Sequence, residues 1–155
     1  MGAHGGGIAV FTEDTYGVGF VRRLSEKLGL CCHKRLYKRL AGVCNSKSIR
    51  QLKTAALDYE KVIVLVDGHW RASDVKKAMD KHLGKLEPEL RSRIHLIIIE
   101  SEIEEWICES LGLSYRGLKP SHVLSDYLCH ERGYKYEKSM LPEFADIIDP
   151  GKLMN

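Results

Sequence analysis

The chain has 155 residues, of which 44% are hydrophobic and 29% charged, and its formal net charge is +3. This composition is typical of a soluble globular protein and excludes an intrinsically disordered chain. No apolar run approaches the roughly 20 residues that a membrane-spanning helix needs. The length predicts one domain over residues 1–155 with a core of its own, of which residues 1–7 form a Gly-rich, flexible leader.

Strand patterns and helix patterns alternate along the chain. Uninterrupted Val, Ile and Leu predict strands covered on both faces, and apolar residues at helical spacing predict the helices. We expect strands at 8–11, within 30–36, at 62–66 and at 94–99. We expect helices at 17–28, 46–58, 75–83, 102–111, 121–131 and 142–148, with a turn or short helix at 86–91. Residues 114–155 would form a C-terminal helical extension.

Side chains with hydrogen-bonding oxygens are expected to cap the second and third helices. Ser46 or Ser48 would cap the second helix, and Ser73 or Asp74 would cap the third. The alternation of strands and helices predicts an α/β three-layer sandwich around a central, mostly parallel four-stranded sheet of the Rossmann-like kind.

Three of the predicted strands run directly into acidic residues. The first is followed by Glu13 and Asp14, the third by Asp67, and the fourth by a segment that contains Glu102 and Glu104. Ligands bind beyond the carboxyl ends of the strands in open α/β sheets. Clustered carboxylates without a nucleophile signature suit a hard divalent cation such as Mg²⁺. Such an ion stabilises charge on a phosphodiester and activates the attacking water.

The order of these elements resembles the Toprim domain of topoisomerases, primases and related nucleases. That domain has a Glu after the first strand and an Asp-x-Asp after a later hydrophobic strand. The segment 102–107, EIEEWI, resembles the E-[LI]-E-x-W-[LI] motif of a family of small Toprim-related proteins, and Lys119-Pro120 with 136–139 resembles that family's closing segment. The resemblance covers nearly the whole chain and implies a Toprim/Rossmann-like fold.

The resemblance also implies roles for individual residues. Glu13 would be the Toprim glutamate, which binds metal or acts as general acid/base, and Asp67 would be the first Asp of the Asp-x-Asp motif. His69 stands in the place of the second Asp, and histidine favours softer ions such as Mn²⁺ or Zn²⁺ over Mg²⁺. Glu102 and Glu104 would complete the acidic cluster that binds the metal, or Glu104 would face inward while Trp106 packs. The implied function is Mg²⁺- or Mn²⁺-dependent cleavage of DNA or RNA, with Glu13 and Asp67 catalytic.

A block of basic residues without any acid lies between residues 33 and 53 and would hold the phosphate backbone. A solvated basic helix face explains the block equally well. Lys138 is a further candidate phosphate contact or an exposed lysine. The nucleic-acid-binding candidates are Lys34, Arg35, Lys38, Arg39, Lys47, Arg50 and Lys138.

Other interpretations of the acids stay open at the level of sequence. Glu13 or Asp14 could favour the start of a helix through the helix dipole, and His69 could contact substrate or lie in an exposed loop. A chain with a broken Asp-x-Asp could be a non-catalytic module that binds nucleic acid or docks a partner protein. A receiver-like phospho-acceptor would need a Lys after the last strand, where this chain has glutamates.

The cysteines predict a reducing compartment. The chain has five, an odd number, and no recognisable signal peptide, which predicts reduced thiols and a cytoplasmic protein. Cys31-Cys32-His33 has poor spacing for a zinc site. Few Asn and Gln beside many Lys, Arg and Glu suggest a thermophilic source.

Overall fold

Four parallel strands form one sheet at the centre of the computed structural model, which describes residues 6–29, 34–43 and 45–153. The strands are β1 (Ile8–Thr12), β2 (Arg35–Arg39), β3 (Lys61–Asp67) and β4 (Ile94–Ile99). Their order across the sheet is β2-β1-β3-β4, and each neighbouring pair is parallel. The predicted α/β sandwich around a parallel four-stranded sheet is therefore confirmed.

Helices connect the strands and cover both faces of the sheet. They are α1 (Thr15–Lys27), α2 (Ser46–Asp58), α3 (Ala72–Leu83), α4 (Pro88–Ser92), α5 (Glu104–Leu111) and α6 (Pro120–Arg132). Two 3₁₀ helices follow, Lys138–Ile147 and Pro150–Lys152. No helix in these described ranges is both long enough and apolar enough to cross a membrane.

Alternate residues of each inner strand face different halves of the core. Val62, Val64 and Val66 of β3 pack with α2, α3 and α4 on one face, whereas Leu65 packs with α1, α5, α6 and the first 3₁₀ helix on the other. This confirms that β3 is covered on both faces. On β4 the second face is partly open, and Ile97 is 43% exposed.

The second strand lies later in the chain than the sequence predicts. The expected range 30–36 falls partly on residues outside the described ranges, as do Cys31, Cys32, His33 and Cys44, and the strand that is seen is Arg35–Arg39. Its pattern RLYKR is weakly apolar because β2 is an edge strand with exposed basic side chains. Part of the predicted basic block is therefore a strand.

The predicted caps of α2 and α3 are wrong. Asn45 caps α2, where its side chain accepts from the N–H of Ser48 in a capping box. Helix α3 begins one turn earlier than expected, at Ala72, and Arg71 precedes it without a side-chain cap. The last predicted helix, 142–148, is instead a 3₁₀ helix that begins earlier, at Lys138, and contains Pro142 in its interior. This segment packs on α1, where a Cβ at Gly19 would lie 2.9 Å from Pro142.

Candidate metal centre

Glu13 and Asp67 are neighbours because β1 and β3 are adjacent and parallel. Thr12 pairs with Leu65, so β1 and β3 end at the same edge of the sheet. A carboxylate oxygen of Glu13, Oε2, accepts a hydrogen bond of 3.0 Å from the backbone N–H of Asp67. Asp67 Oδ1 accepts in turn from the N–H of Ile103, at 2.9 Å, where the chain enters α5. The backbone N–H groups that hold the two acids therefore come from two segments, the end of β3 and the start of α5.

Asp14 rather than Glu13 starts the first helix. Its Oδ1 accepts from the N–H of Gly17 at 2.7 Å, and its backbone is extended, as a helix N-cap requires. The side chain of Glu13 thus has no capping role in this arrangement and turns toward β3. This separates the two acids that the sequence leaves as alternatives.

The side chain of His69 lies near the two acids, and the backbone that carries it has an unusual conformation. His69 and Trp70 both have positive φ angles, 48° and 65°, in the left-handed region that non-glycine residues rarely occupy. Ligand atoms of Glu13, Asp67 and His69 all lie within 4.8 Å of one another. The acids are partly buried and the histidine is exposed, so the group is open to solvent on one side.

A small cavity lies beside the acids, with a volume of about 20 Å³. A space of roughly 10–15 Å³ can hold one water molecule, so the cavity has room for one water-sized species. It is lined by Thr12, Glu13, Asp14, Gly17, Leu65, Asp67, Ile99, Ile103 and Lys138. Three acidic residues and one lysine therefore line a cavity the size of a single water molecule.

Asp67 binds a proton unusually well in this setting. Burial is the largest cause that raises its pKa to about 7, and the nearby carboxylates of Glu13 and Glu104 raise it further. The ammonium of Lys138 and the hydrogen bond from Ile103 act in the opposite direction without cancelling the effect. Carboxyl groups with a pKa raised toward neutral pH are frequent at functional sites. A bound cation would stabilise the charged form of Asp67 and so lower its pKa.

The acids that follow β4 have other partners. Glu102 is 6% exposed, and its Oε1 accepts from the N–H of Ser121 at the start of α6, at 2.7 Å. Glu105 is 3% exposed and accepts from the N–H of Ser101 and from the hydroxyl of Tyr115. Neither belongs to the group with Glu13. A role of Glu102 in metal binding stays a prediction.

Glu104 is completely buried and paired with a lysine. Its Oε2 accepts from Lys138 at 2.8 Å and from the hydroxyl of Tyr136 at 2.7 Å. Its other oxygen, Oε1, has no hydrogen-bond partner within the described ranges. Lys138 also lies 3.9 Å from Asp14. Burial works to lower the pKa of Lys138, but Glu104, Asp14 and Asp67 outweigh it and leave the pKa raised, so this lysine is charged.

The predicted nucleic-acid contacts of the basic block fall into three places. Lys34 and Arg35 lie at the amino end of β2, where Lys34 Nζ donates to the carbonyl of Asp58. Arg39 lies at the other end of β2, and its Nε donates to the carbonyl of Glu13 at 3.4 Å. The other three candidates of the block line a groove of about 470 Å³ between β2 and α2; they are Lys38, Lys47 and Arg50.

The donor set fits a divalent cation. Two carboxylates and an imidazole converge within 4.8 Å, beside a cavity of atomic size. Carboxylate oxygens suit Mg²⁺ and Mn²⁺, and the imidazole shifts the preference toward Mn²⁺. Glu13, Asp67 and His69 are therefore the residues that would hold the ion, and their side chains leave positions for water and substrate.

No family model and no curated protein sequence matches this chain. The Toprim resemblance accordingly remains a prediction that rests on the residues quoted above.

Two aromatic residues at this edge carry no role in the sequence prediction. Tyr136 donates to Glu104, and Trp70 follows His69 directly and is 47% exposed. The signal for Trp70 was its place in the short loop between a buried strand ending in Asp and the next helix. The signal for Tyr136 was weaker, because its partner lies 32 positions away in the chain.

Proposed function

We propose that this protein hydrolyses phosphodiester bonds of nucleic acid with Mg²⁺ or Mn²⁺ held by Glu13, Asp67 and His69. The single observation that carries the proposal is the convergence of these three side chains within 4.8 Å at the carboxyl edge of a parallel sheet. When bound, the ion would neutralise charge on the phosphodiester and lower the pKa of the attacking water. The Toprim resemblance supports the same reaction class.

The residues around the ion would share the remaining work. Glu13 and Asp67 are fixed by backbone hydrogen bonds, which hold ligand geometry without reorganisation. Lys138 faces the cavity as a cation and would contact a non-bridging phosphate oxygen. Asp67, with a pKa raised to about 7 by burial and its acidic neighbours, can also exchange a proton near neutral pH when no ion is bound.

The groove between β2 and α2 supports nucleic acid as the substrate class. Its lining includes the basic residues Lys38, Lys47 and Arg50 together with the apolar residues Leu36 and Phe11. At the carboxyl end of β2, Arg39 reaches the backbone of Glu13, so positive charge continues from the groove to the acids. A polyanion held along α2 would thereby be led to the proposed metal centre.

Cleavage by purified variants tests the proposal. We expect Glu13→Gln and Asp67→Asn to reduce Mn²⁺-dependent cleavage of a labelled oligonucleotide by more than the roughly 10- to 100-fold that loss of a ligand's supporting partner costs. Glu131→Gln, which removes an exposed acid of α6, is the matched control and should cleave normally. Retention of wild-type cleavage in folded Asp67→Asn would contradict the assignment.

Binding tests the groove separately. We expect Lys47→Ala and Arg50→Ala each to weaken oligonucleotide binding and to reduce the slope of log affinity against log salt by about 0.7 for a single strand. Lys77→Ala removes an exposed lysine of α3 and should leave both the affinity and the slope unchanged. Equal effects of all three changes would show that the groove is not the contact surface.

A non-catalytic module that binds nucleic acid is the second candidate. It is favoured by His69, which replaces a carboxylate in the resemblance, and by a basic groove whose residues are not among the proposed metal ligands. This candidate predicts oligonucleotide binding that depends on Lys47 and Arg50 without any divalent cation, and no cleavage. Cleavage that disappears in Asp67→Asn would eliminate it.

A further inference from the structure

Backbone hydrogen bonds fix the loop after β3, and Trp70 on this loop is partly exposed to solvent. His69 and Trp70 both have left-handed backbones, at a cost of about 1–2 kcal/mol per residue. Three backbone N–H groups tie the loop to the end of β4: Gly68 to Ile99 at 2.7 Å, His69 to Ser101 at 2.8 Å and Trp70 to Glu100 at 2.7 Å. Strain of this kind persists only where the surroundings fix it, and it is frequent at functional sites.

Gly68 shows how closely the two loops approach. A Cβ at this position would lie 2.5 Å from the carbonyl oxygen of Ile99, so no other residue fits without displacement of the backbone. The same turn sends the side chain of His69 toward Asp67 and leaves the next side chain, Trp70, 47% exposed. A large aromatic ring is thus presented beside the proposed metal centre on a fixed backbone.

Trp70 forms one wall of an open cavity of about 550 Å³. Trp106 and Ile97 provide further apolar surface, and Ile97 is itself 43% exposed on β4. The polar part of the lining has mixed charge, with Arg71 beside Asp74 and Glu100. The cavity therefore combines flat aromatic surface with carboxylate acceptors and one guanidinium donor.

These features match an unpaired nucleobase better than a phosphate group. Two carboxylates at the rim repel a phosphate, but they can accept hydrogen bonds from the exocyclic amino groups of cytosine or adenine. Every base has a flat face that stacks on an aromatic side chain. Arg71 also lines the cavity, and its guanidinium would be a donor for the backbone of the same nucleotide.

We propose that Trp70 stacks an unpaired nucleobase of the substrate strand next to the phosphodiester at the metal centre. The proposal rests on the proposed function, and it narrows the substrate class to single-stranded or locally opened nucleic acid. A base inside a duplex is stacked on its neighbours and cannot reach an external aromatic ring without being extruded. Trp70 would act as a specificity-determining residue for strandedness, because its contact does not require a particular base.

Intrinsic fluorescence gives a direct readout, because the chain has only two tryptophans. In Trp106→Phe, emission reports on Trp70 alone. We expect a short single-stranded oligonucleotide, added in EDTA so that no cleavage occurs, to quench this emission in a saturable manner. A blunt duplex of the same sequence should quench it far less. Equal quenching by duplex and single strand would overturn the proposed selectivity.

Affinity measured by fluorescence anisotropy in EDTA tests the energetic role. We expect Trp70→Leu to weaken binding of the single strand roughly 5- to 150-fold, which corresponds to the 1–3 kcal/mol of one base-aromatic stack. Trp70→Phe should restore part of the loss, because it keeps an aromatic face. Tyr134→Leu removes an aromatic residue that is 42% exposed elsewhere on the surface and should change nothing.

The possible failures separate the two proposals. If the oligonucleotide binds, and Lys47→Ala weakens it while Trp70→Leu does not, the stacking role is wrong and the proposed function stands. If the folded wild type binds neither single strand nor duplex, the proposed function fails and the stacking role fails with it. Loss of binding in Trp70→Leu without any rescue by Trp70→Phe would also count against stacking.

Discussion

Two groups of acids follow neighbouring strands of this sheet, and they differ in what their oxygens contact. The first group consists of Glu13, just after β1, and Asp67, at the end of β3; it is partly buried, bounds a cavity and converges with His69. The second group follows β4 and is 0–6% exposed, with oxygens that accept from backbone N–H groups, tyrosine hydroxyls or a lysine. It consists of Glu102, Glu104 and Glu105.

The comparison shows that acids at strand ends can lie in two different structural environments. Those of the second group join β4, α5, α6 and the C-terminal segment. Glu102 accepts a hydrogen bond from the first N–H of α6, and Glu104 accepts hydrogen bonds from Tyr136 and Lys138. Those of the first group bind to the backbone through one oxygen each and lie beside open space. The first group is suited to a ligand, and the second is suited to holding the edge of the sheet together.

Loss of Lys138 should have the largest effect on stability. Lys138→Met would leave Glu104, whose side chain is 1% exposed, without its cation. Breaking one partner of a buried pair costs about 3 kcal/mol or more, and we expect a loss of that size in urea denaturation. The matched control is Lys76→Met, because Lys76 pairs with Asp80 at the surface, where such pairs contribute about 0–1 kcal/mol. Equal losses in the two variants would contradict the structural role of Glu104.

Asp67→Asn should stabilise the metal-free protein at alkaline pH. The folded pKa of Asp67 is raised by burial from 3.8 to about 7, so the folded state binds the proton more tightly than the unfolded state does. The stability that this provides is complete below about pH 4 and is lost as the pH rises through about 7. From about pH 5 to about pH 8 in EDTA, the variant should gain about 1–2 kcal/mol relative to wild type, after allowance for solvent screening.

The control for this pH dependence is Asp126→Asn, which removes an exposed acid from α6. Its stability difference from wild type should vary less with pH, because exposed charges are screened. Free energies of unfolding for the three proteins at both pH values decide the matter. The free energy of unfolding of Asp67→Asn minus that of wild type should increase as the pH rises. A value that stays constant or decreases would contradict the raised pKa.

Glu102 should show a small effect that depends on the replacement. Glu102→Ala removes the acceptor of the Ser121 N–H and should cost about 1 kcal/mol or somewhat more, as loss of a helix cap does. Glu102→Gln keeps a carbonyl acceptor and should cost less. Thermal unfolding distinguishes the two variants. If Glu102→Gln instead abolished Mn²⁺ binding at unchanged stability, Glu102 would belong to the metal centre after all.

The fold was largely predictable from the sequence because its signals are local. Continuous Val, Ile and Leu mark β3 and β4, and Gly112 and Gly133 end their helices with positive φ angles. Strand β2 was misplaced because an edge strand needs little apolar surface, and the caps of α2 and α3 depended on geometry around Asn45 and Arg71. The 3₁₀ helix was missed because its shape follows from packing against α1 around Pro142.

The candidate site was predictable only in part. Adjacent parallel strands bring Glu13 and Asp67 together, and that adjacency follows from the predicted sheet. The bonding of Glu104 to Lys138 and Tyr136 spans more than 30 residues and leaves no local signal. The left-handed turn at His69 and Trp70 was equally hidden, because neither residue favours that conformation and contacts with β4 impose it.

Calorimetric titration of Mn²⁺ into wild type, Asp67→Asn and Glu102→Gln tests the central claim most directly. The claim is that the acids after β1 and β3 hold a divalent cation with His69. It predicts binding to the wild type and to Glu102→Gln, and none to Asp67→Asn. A folded wild type that takes up no Mn²⁺, or Asp67→Asn that binds it as the wild type does, would contradict the account.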